Sequence, residues 1–69
     1  MIRKIIAERL NISEDSINES SDIVEDLGAD SLSVVEIIMD IENEYDIQIP
    51  DEDAELLHTV GEVEAYISD

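Results

Sequence analysis

Between Ser31 and Tyr45 apolar side chains stand at positions 32, 34, 35, 37, 38, 39, 41 and 45. A run this long exceeds an ordinary strand and is too apolar to lie wholly on a surface, so the fold has to be built around it as a central helix. Val35, Ile38, Ile41 and Tyr45 recur at helical spacing and are expected to form its inward face, with Leu32, Val34, Ile37 and Met39 widening or flanking that face.

The other elements follow from spacing and punctuation. Ile2, Ile5, Ile6 and Leu10 mark a first helix that ends near Asn11. A long polar connection, 12–28, is expected to wrap the core, pinned by Ile12, Ile17, Ile23, Val24 and Leu27. Asp22 and Glu25 are spaced like a capping box around one helical turn, which Gly28 terminates. Ile47 and Ile49, before Pro50, predict an extended linker with both isoleucines in the core. Pro50 to Leu57 predicts a short third helix, its acidic start at the positive dipole end and Ala54 and Leu57 inward. Thr59 and Glu62 form a capping box opening a last helix with Val60, Val63, Tyr66 and Ile67 inside. The expectation is an all-α domain spanning 1–69: a small four-helix bundle with a short third helix and a long loop between helices 1 and 2. At 69 residues without cysteine, it has a core only just large enough to outweigh chain entropy.

Charge restricts the partners. Twenty acidic residues against three basic ones give a net charge of −17, which argues against nucleic acid and anionic membranes and for basic protein surfaces. All three cations, Arg3, Lys4 and Arg9, fall in the first helix. With 43% hydrophobic residues the chain is too apolar to be disordered despite this charge. The absence of cysteine excludes thiolate metal sites and a thiol nucleophile of the chain's own. No stretch suits a membrane span or a signal peptide, so a cytoplasmic monomer is expected, or one in an organelle if a targeting segment was removed.

The motif with chemistry in it is Gly28-Ala29-Asp30-Ser31-Leu32, directly before the central helix. Read alone, Ser and Asp at this place are ordinary N-cap residues. The segment 26–50, DLGADSLSVVEIIMDIENEYDIQIP, nevertheless resembles the acyl carrier proteins, and the likeness extends from Ile5-Ile6 to Thr59-Val60-Gly61 and Tyr66-Ile67. The resemblance implies that Ser31, flanked by Asp30 and Leu32, is esterified by 4′-phosphopantetheine from coenzyme A through a separate phosphopantetheinyl transferase. The arm's thiol would then carry acyl groups as thioesters, and the chain itself would be a carrier, not a catalyst. An exposed hydroxyl at a helix's positive end suits such a phosphodiester.

Along the central helix, Glu36, Asp40, Glu42 and Glu44 are solvent-facing candidates, and Asp30, Glu36 and Glu42, six residues apart, are expected along one side as a recognition strip. A merely solvated face is the plainer reading of such charges. In relatives the matching positions dock on Lys and Arg of partner enzymes, with Leu32 and Met39 adding apolar contact. The resemblance also implies an acyl-chain pocket between the second, third and fourth helices, pointing to Val35, Met39, Ile49, Leu57 and Val63. Twelve isoleucines with no Phe or Trp make an aliphatic interior that can open, although any small helical core is aliphatic. The chain departs from its relatives at Ser33, where many carry an acidic residue, at Tyr45, where Phe is frequent, and at Leu56 and His58.

The Gly-Ala-Asp-Ser-Leu spelling, the acidity and the Ile-Pro-Asp-Glu-Asp-Ala stretch favour fatty acid synthesis by discrete enzymes, with a polyketide or other specialised carrier as the alternative. Two other classes fit less well. A serine hydrolase would need a positioned base and orienter, and the chain has one histidine and no nucleophile-elbow pattern. A calcium-binding or acidic interaction module would exploit the carboxylates around 40–55, but Asp40 to Asp51 lacks the glycine and the ligand spacing of a calcium loop.

Overall fold

The computed structural model describes residues 1–67. Four helices follow one another: α1 (Ile2–Leu10), α2 (Ser31–Tyr45), α3 (Asp51–Ala54) and α4 (Val60–Ile67), with a 3₁₀ turn at Glu14–Ser16 inside the long loop. Among the described residues there is no strand, only an isolated antiparallel bridge between Asp22 and Thr59. The predicted four-helix architecture is the observed one. Asn11 and Asp46 end α1 and α2 in the left-handed conformation, at φ 58° and 55°. Asn and Asp tolerate that conformation better than most residues.

Ile2, Ile6, Ile37, Ile41, Val60 and Val63 are fully buried and lock α1, α2 and α4 together. On α2 the buried stripe is therefore Ile37 and Ile41 flanked by the half-buried Val34, Ile38 and Tyr45. Val35 is not on the inward face, as expected from spacing, but 53% exposed, beside Leu32 and Met39. With apolar residues around more than half of its circumference, α2 offers two overlapping stripes, and packing against α1 selects the one centred on Ile37 and Ile41.

The long loop is held by backbone bonds to the start of α4. Ile23 N–H donates to the His58 carbonyl (2.9 Å), Val60 N–H to Ser21 (3.0 Å) and Gly61 N–H to Glu19 (2.9 Å). Ile17 and Ile23 are buried anchors, Ile12 and Leu27 pack against the core, and Val24 is an expected anchor that is instead half exposed. The turn after Asp22 is capped, but not by Glu25. Asp22 Oδ1 accepts from Val24 and Glu25 N–H, while the carboxylate reaching back to Asp22 N–H is Asp26, at 2.7 Å. Gly28, at φ 79°, lets the chain leave this turn toward α2.

Three further expectations are corrected. α3 is a single turn ending at Ala54, because Leu56 and Leu57 N–H donate to carbonyls three residues back and the helix tightens out of register. Ile49 is buried, whereas Ile47 is 36% exposed: its N–H still donates to the Glu42 carbonyl (3.1 Å), so Ile47 belongs to the turn that closes α2 after the left-handed Asp46 and does not share the inward face of the extended linker. Tyr66 is not an inner residue of α4. It is largely exposed and its hydroxyl donates to Asp53 Oδ2 of α3 at 2.7 Å. The Thr59–Glu62 capping box forms as expected, with Glu62 N–H donating to Thr59 Oγ1 and the Thr59 and His58 N–H groups donating to Glu62 Oε1.

Arginines of α1 tie it to its neighbours. Arg3 Nε meets Glu64 of α4 at 3.0 Å, and Arg9 meets Asp40 of α2 through Nε (2.9 Å) and Nη2 (2.8 Å).

Two substitutions test this packing by urea unfolding. Ile41→Ala is expected to destabilise by about 2–5 kcal/mol, while Val35→Ala stays within about 0.5 kcal/mol; similar losses at both sites would contradict the stripe. A Cβ on Gly61 would lie 2.9 Å from the Glu19 carbonyl oxygen. Gly61→Ala is therefore expected to lose about 1–3 kcal/mol, although helix propensity alone favours alanine by ~1 kcal/mol.

Candidate functional site

The Asp22–Gly28 turn and the buried Ala29 deliver the chain to Asp30, whose backbone is extended and whose side chain caps α2. Asp30 Oδ1 accepts from Ser33 N–H at 2.8 Å. This bond, above all, holds the Asp30 carboxyl below its ordinary value of 3.8, and the Ser33 side chain adds to the effect. Capping thus falls to Asp30, and Ser31 occupies the first helical position with its side chain exposed. Among the described residues no hydrogen bond engages the Ser31 hydroxyl. A phosphodiester on that oxygen would displace nothing and would sit at the helix's positive end, so the residues fit a 4′-phosphopantetheine arm.

Leu32, Val35 and Met39, at i, i+3 and i+7, continue from Ser31 as an exposed apolar stripe, 66%, 53% and 55% accessible. Behind its edge lies a recess of about 170 Å³ between α2, the 47–50 linker and α3, lined by Val34, Val35, Ile38, Met39, Glu42, Ile49, Asp51 and Ala54. Of the expected pocket residues, Val35, Met39 and Ile49 line it. Leu57 and Val63 do not: Val63 is fully buried in the core between helices, and Leu57 packs on that core from beyond the end of α3. Val34, Ile38 and Ala54 were missed as lining residues, since on sequence alone they read as core. A larger groove of about 560 Å³ lies between α1 and α2, lined mostly by polar residues including Glu8, Arg9, Asp40 and Glu44. It does not include Ser31.

The expected carboxylate strip does not run along one side of α2. A step of six residues turns a helix by roughly 600°, about two-thirds of a revolution past the last full turn, so Asp30, Glu36 and Glu42 diverge. Glu36 leans toward α1, 3.8 Å from Arg9 Nη1, while Glu42 Oε2 accepts from Ile49 N–H at 2.7 Å across the recess wall. Asp30 is committed to its cap.

An exposed serine thus opens the central helix of a small acidic bundle, one helical turn before the edge of the recess at Val34 and Val35. The family profile described as "Phosphopantetheine attachment site" matches residues 2–67. The acyl carrier protein of Wolinella succinogenes is 50% identical over 66 residues, 96% of this chain and 87% of that protein. That of Clostridium perfringens is 50% identical over 68 residues, covering 99% and 90%. A solved structure of a candidate acyl carrier protein from Mycobacterium tuberculosis superposes with a TM-score of 0.90 at 34% identity, covering 97% of this chain and 89% of that one. The chain belongs to the acyl carrier protein family, whose cofactor is 4′-phosphopantetheine and whose members are carriers that act with a phosphopantetheinyl transferase and acyl-handling enzymes.

Because the folded Asp30 pKa is depressed, the cap's contribution to stability is complete above the ordinary value of 3.8 and drains away as pH falls from there through the lower, folded value. Asp30→Ala is expected to melt below the parent at neutral pH, with the gap narrowing as pH falls below 3.8. A gap independent of pH would contradict the assignment of the cap to the ionised carboxylate.

Proposed function

We propose that Ser31 is the attachment residue for 4′-phosphopantetheine and that the whole chain, 1–69, serves as one carrier domain for discrete enzymes of fatty acid synthesis in the cytoplasm. The observation that carries the attachment site is the division of labour at the start of α2: Asp30 caps the helix, so the exposed Ser31 hydroxyl has no structural duty there. In the loading step one phosphodiester forms at Ser31 Oγ as the phosphoanhydride of coenzyme A breaks; the nucleotide leaves, and the hydroxyl proton passes to the transferase or solvent. Once attached, the arm supplies the thiol that the chain lacks, and that thiol holds acyl groups as thioesters. No bond-making is assigned to the chain itself.

The residues around Ser31 bind and present. Leu32, Val35 and Met39 offer partners an apolar stripe, with carboxylates of α2, Glu36 and Glu42 among them, for basic groups at its borders. Field attraction of this kind chiefly speeds association and weakens with salt, which suits a carrier that must also leave. The recess lined by Val35, Met39 and Ile49 takes the near part of an acyl chain. At about 170 Å³ it is smaller than the ~300–1,000 Å³ of common ligand pockets, so a long chain has to push the one-turn α3 outward. The Gly-Ala-Asp-Ser-Leu spelling and the acidic stretch after Pro50 favour fatty acid synthesis over a specialised polyketide role.

Incubation with coenzyme A, Mg²⁺ and a broad-specificity phosphopantetheinyl transferase, read by intact mass, tests the site. The parent chain is expected to gain one phosphopantetheine and Ser31→Ala none. A gain on Ser31→Ala would move the site elsewhere, and no gain on the folded parent beside a control carrier that loads would end the reading.

A further inference from the structure

Arg9 grips Asp40 through two nitrogens and reaches Glu36 with a third, so a guanidinium from α1 already occupies two carboxylates on the helix that begins with Ser31. The three side chains are all about one-third or more exposed. In a chain with only three cations against twenty acidic residues, one cation spent on this face is a large local correction. We propose that Arg9 is a built-in competitor for the Lys and Arg side chains of docking enzymes, holding Glu36 and Asp40 until a partner displaces it, and so sets how strongly this edge of α2 takes part in recognition. This rests on the carrier reading and adds to it a specificity determinant outside α2.

The displacement is physically cheap. Exposed pairs of this kind are weak because water and salt screen them. Glu8 and Glu44 line the same groove as Arg9 and Asp40, so a displaced guanidinium has carboxylates nearby to turn to. A partner with a well-placed arginine therefore exchanges one charged contact for another, while a weakly basic partner meets a face whose negative charge is already partly offset. Such discrimination works by raising the threshold for the wrong partner as much as by attracting the right one. Arg3, by contrast, is engaged with Glu64 of α4 and plays no part at this edge.

The test is transferase-catalysed loading from coenzyme A, with kcat and KM measured for the parent, Arg9→Gln, Glu36→Gln and the double variant over a range of salt. Arg9→Gln is expected to raise kcat/KM roughly two- to fivefold at low ionic strength, through KM, with the gain fading as salt rises. The loss caused by Glu36→Gln should be larger in the Arg9→Gln background than in the parent. Lys4→Gln removes the same charge from the same helix and controls for net charge; it should show no such coupling to Glu36. Additive effects of Arg9→Gln and Glu36→Gln, or equal coupling with Lys4→Gln, would overturn the proposal. Should Arg9→Gln fail to fold, Arg9→Lys decides, because an ammonium cannot reproduce the two-nitrogen grip: an intermediate gain supports the competitor and no gain overturns it. A parent that does not load at all would refute the carrier reading itself, whereas a parent that loads without coupling refutes this inference alone.

Discussion

The arrangement depends on a short backbone seam. Residues 19–23 and 58–61 run alongside each other, and three amide-to-carbonyl bonds with the Asp22–Thr59 bridge fasten the long loop to the start of α4. The seam needs a residue without a side chain at Gly61, where Glu19 approaches too closely for a Cβ. It satisfies backbone groups that an irregular loop would otherwise leave to solvent, and it fixes where the loop ends. Since that loop ends at Asp30, the same seam sets the entry of α2 and the place of Ser31.

Stability and openness come from different parts of the molecule. Among the described residues the largest fully buried side chains are all Ile or Val, and all lie on α1, α2 and α4. α3 contributes only the half-buried Ala54 and is held by its cap turn and by the Tyr66–Asp53 hydrogen bond. That bond raises the Tyr66 pKa above its ordinary value of 10.0, so the neutral phenol holds the latch across the physiological range and the latch is lost only as pH rises toward the raised pKa. α3 is thus the least anchored wall of the recess.

Element existence was legible because its signals are local. The helical spacing of Ile2, Ile5 and Ile6, the Thr59–Glu62 box and the serine at the start of the apolar run each lie within a few residues. What escaped depends on contacts between distant segments. Spacing could not choose between the Val35 and the Ile37–Ile41 stripes of α2, because both are apolar and only the partner helix decides. Pro50 and its acidic successors announce a helix start, yet nothing nearby marks its end at Ala54. Glu42 read as a surface charge, but it serves Ile49 N–H seven residues on. Likewise, Arg9 on Asp40 joins residues thirty-one apart, a pairing no periodicity encodes.

Confinement of all three cations to the first nine residues gives the folded molecule a permanent separation of charge as well as a net charge. In the field of a basic surface such a body feels a torque before it makes any contact, one that turns its more carboxylate-rich side inward. Part of the orientational search that slows protein encounters is then done at a distance of about a Debye length, ~8–10 Å at physiological salt. For a member of a family that acts with a transferase and with acyl-handling enzymes, being aimed on approach counts for more than being held once there.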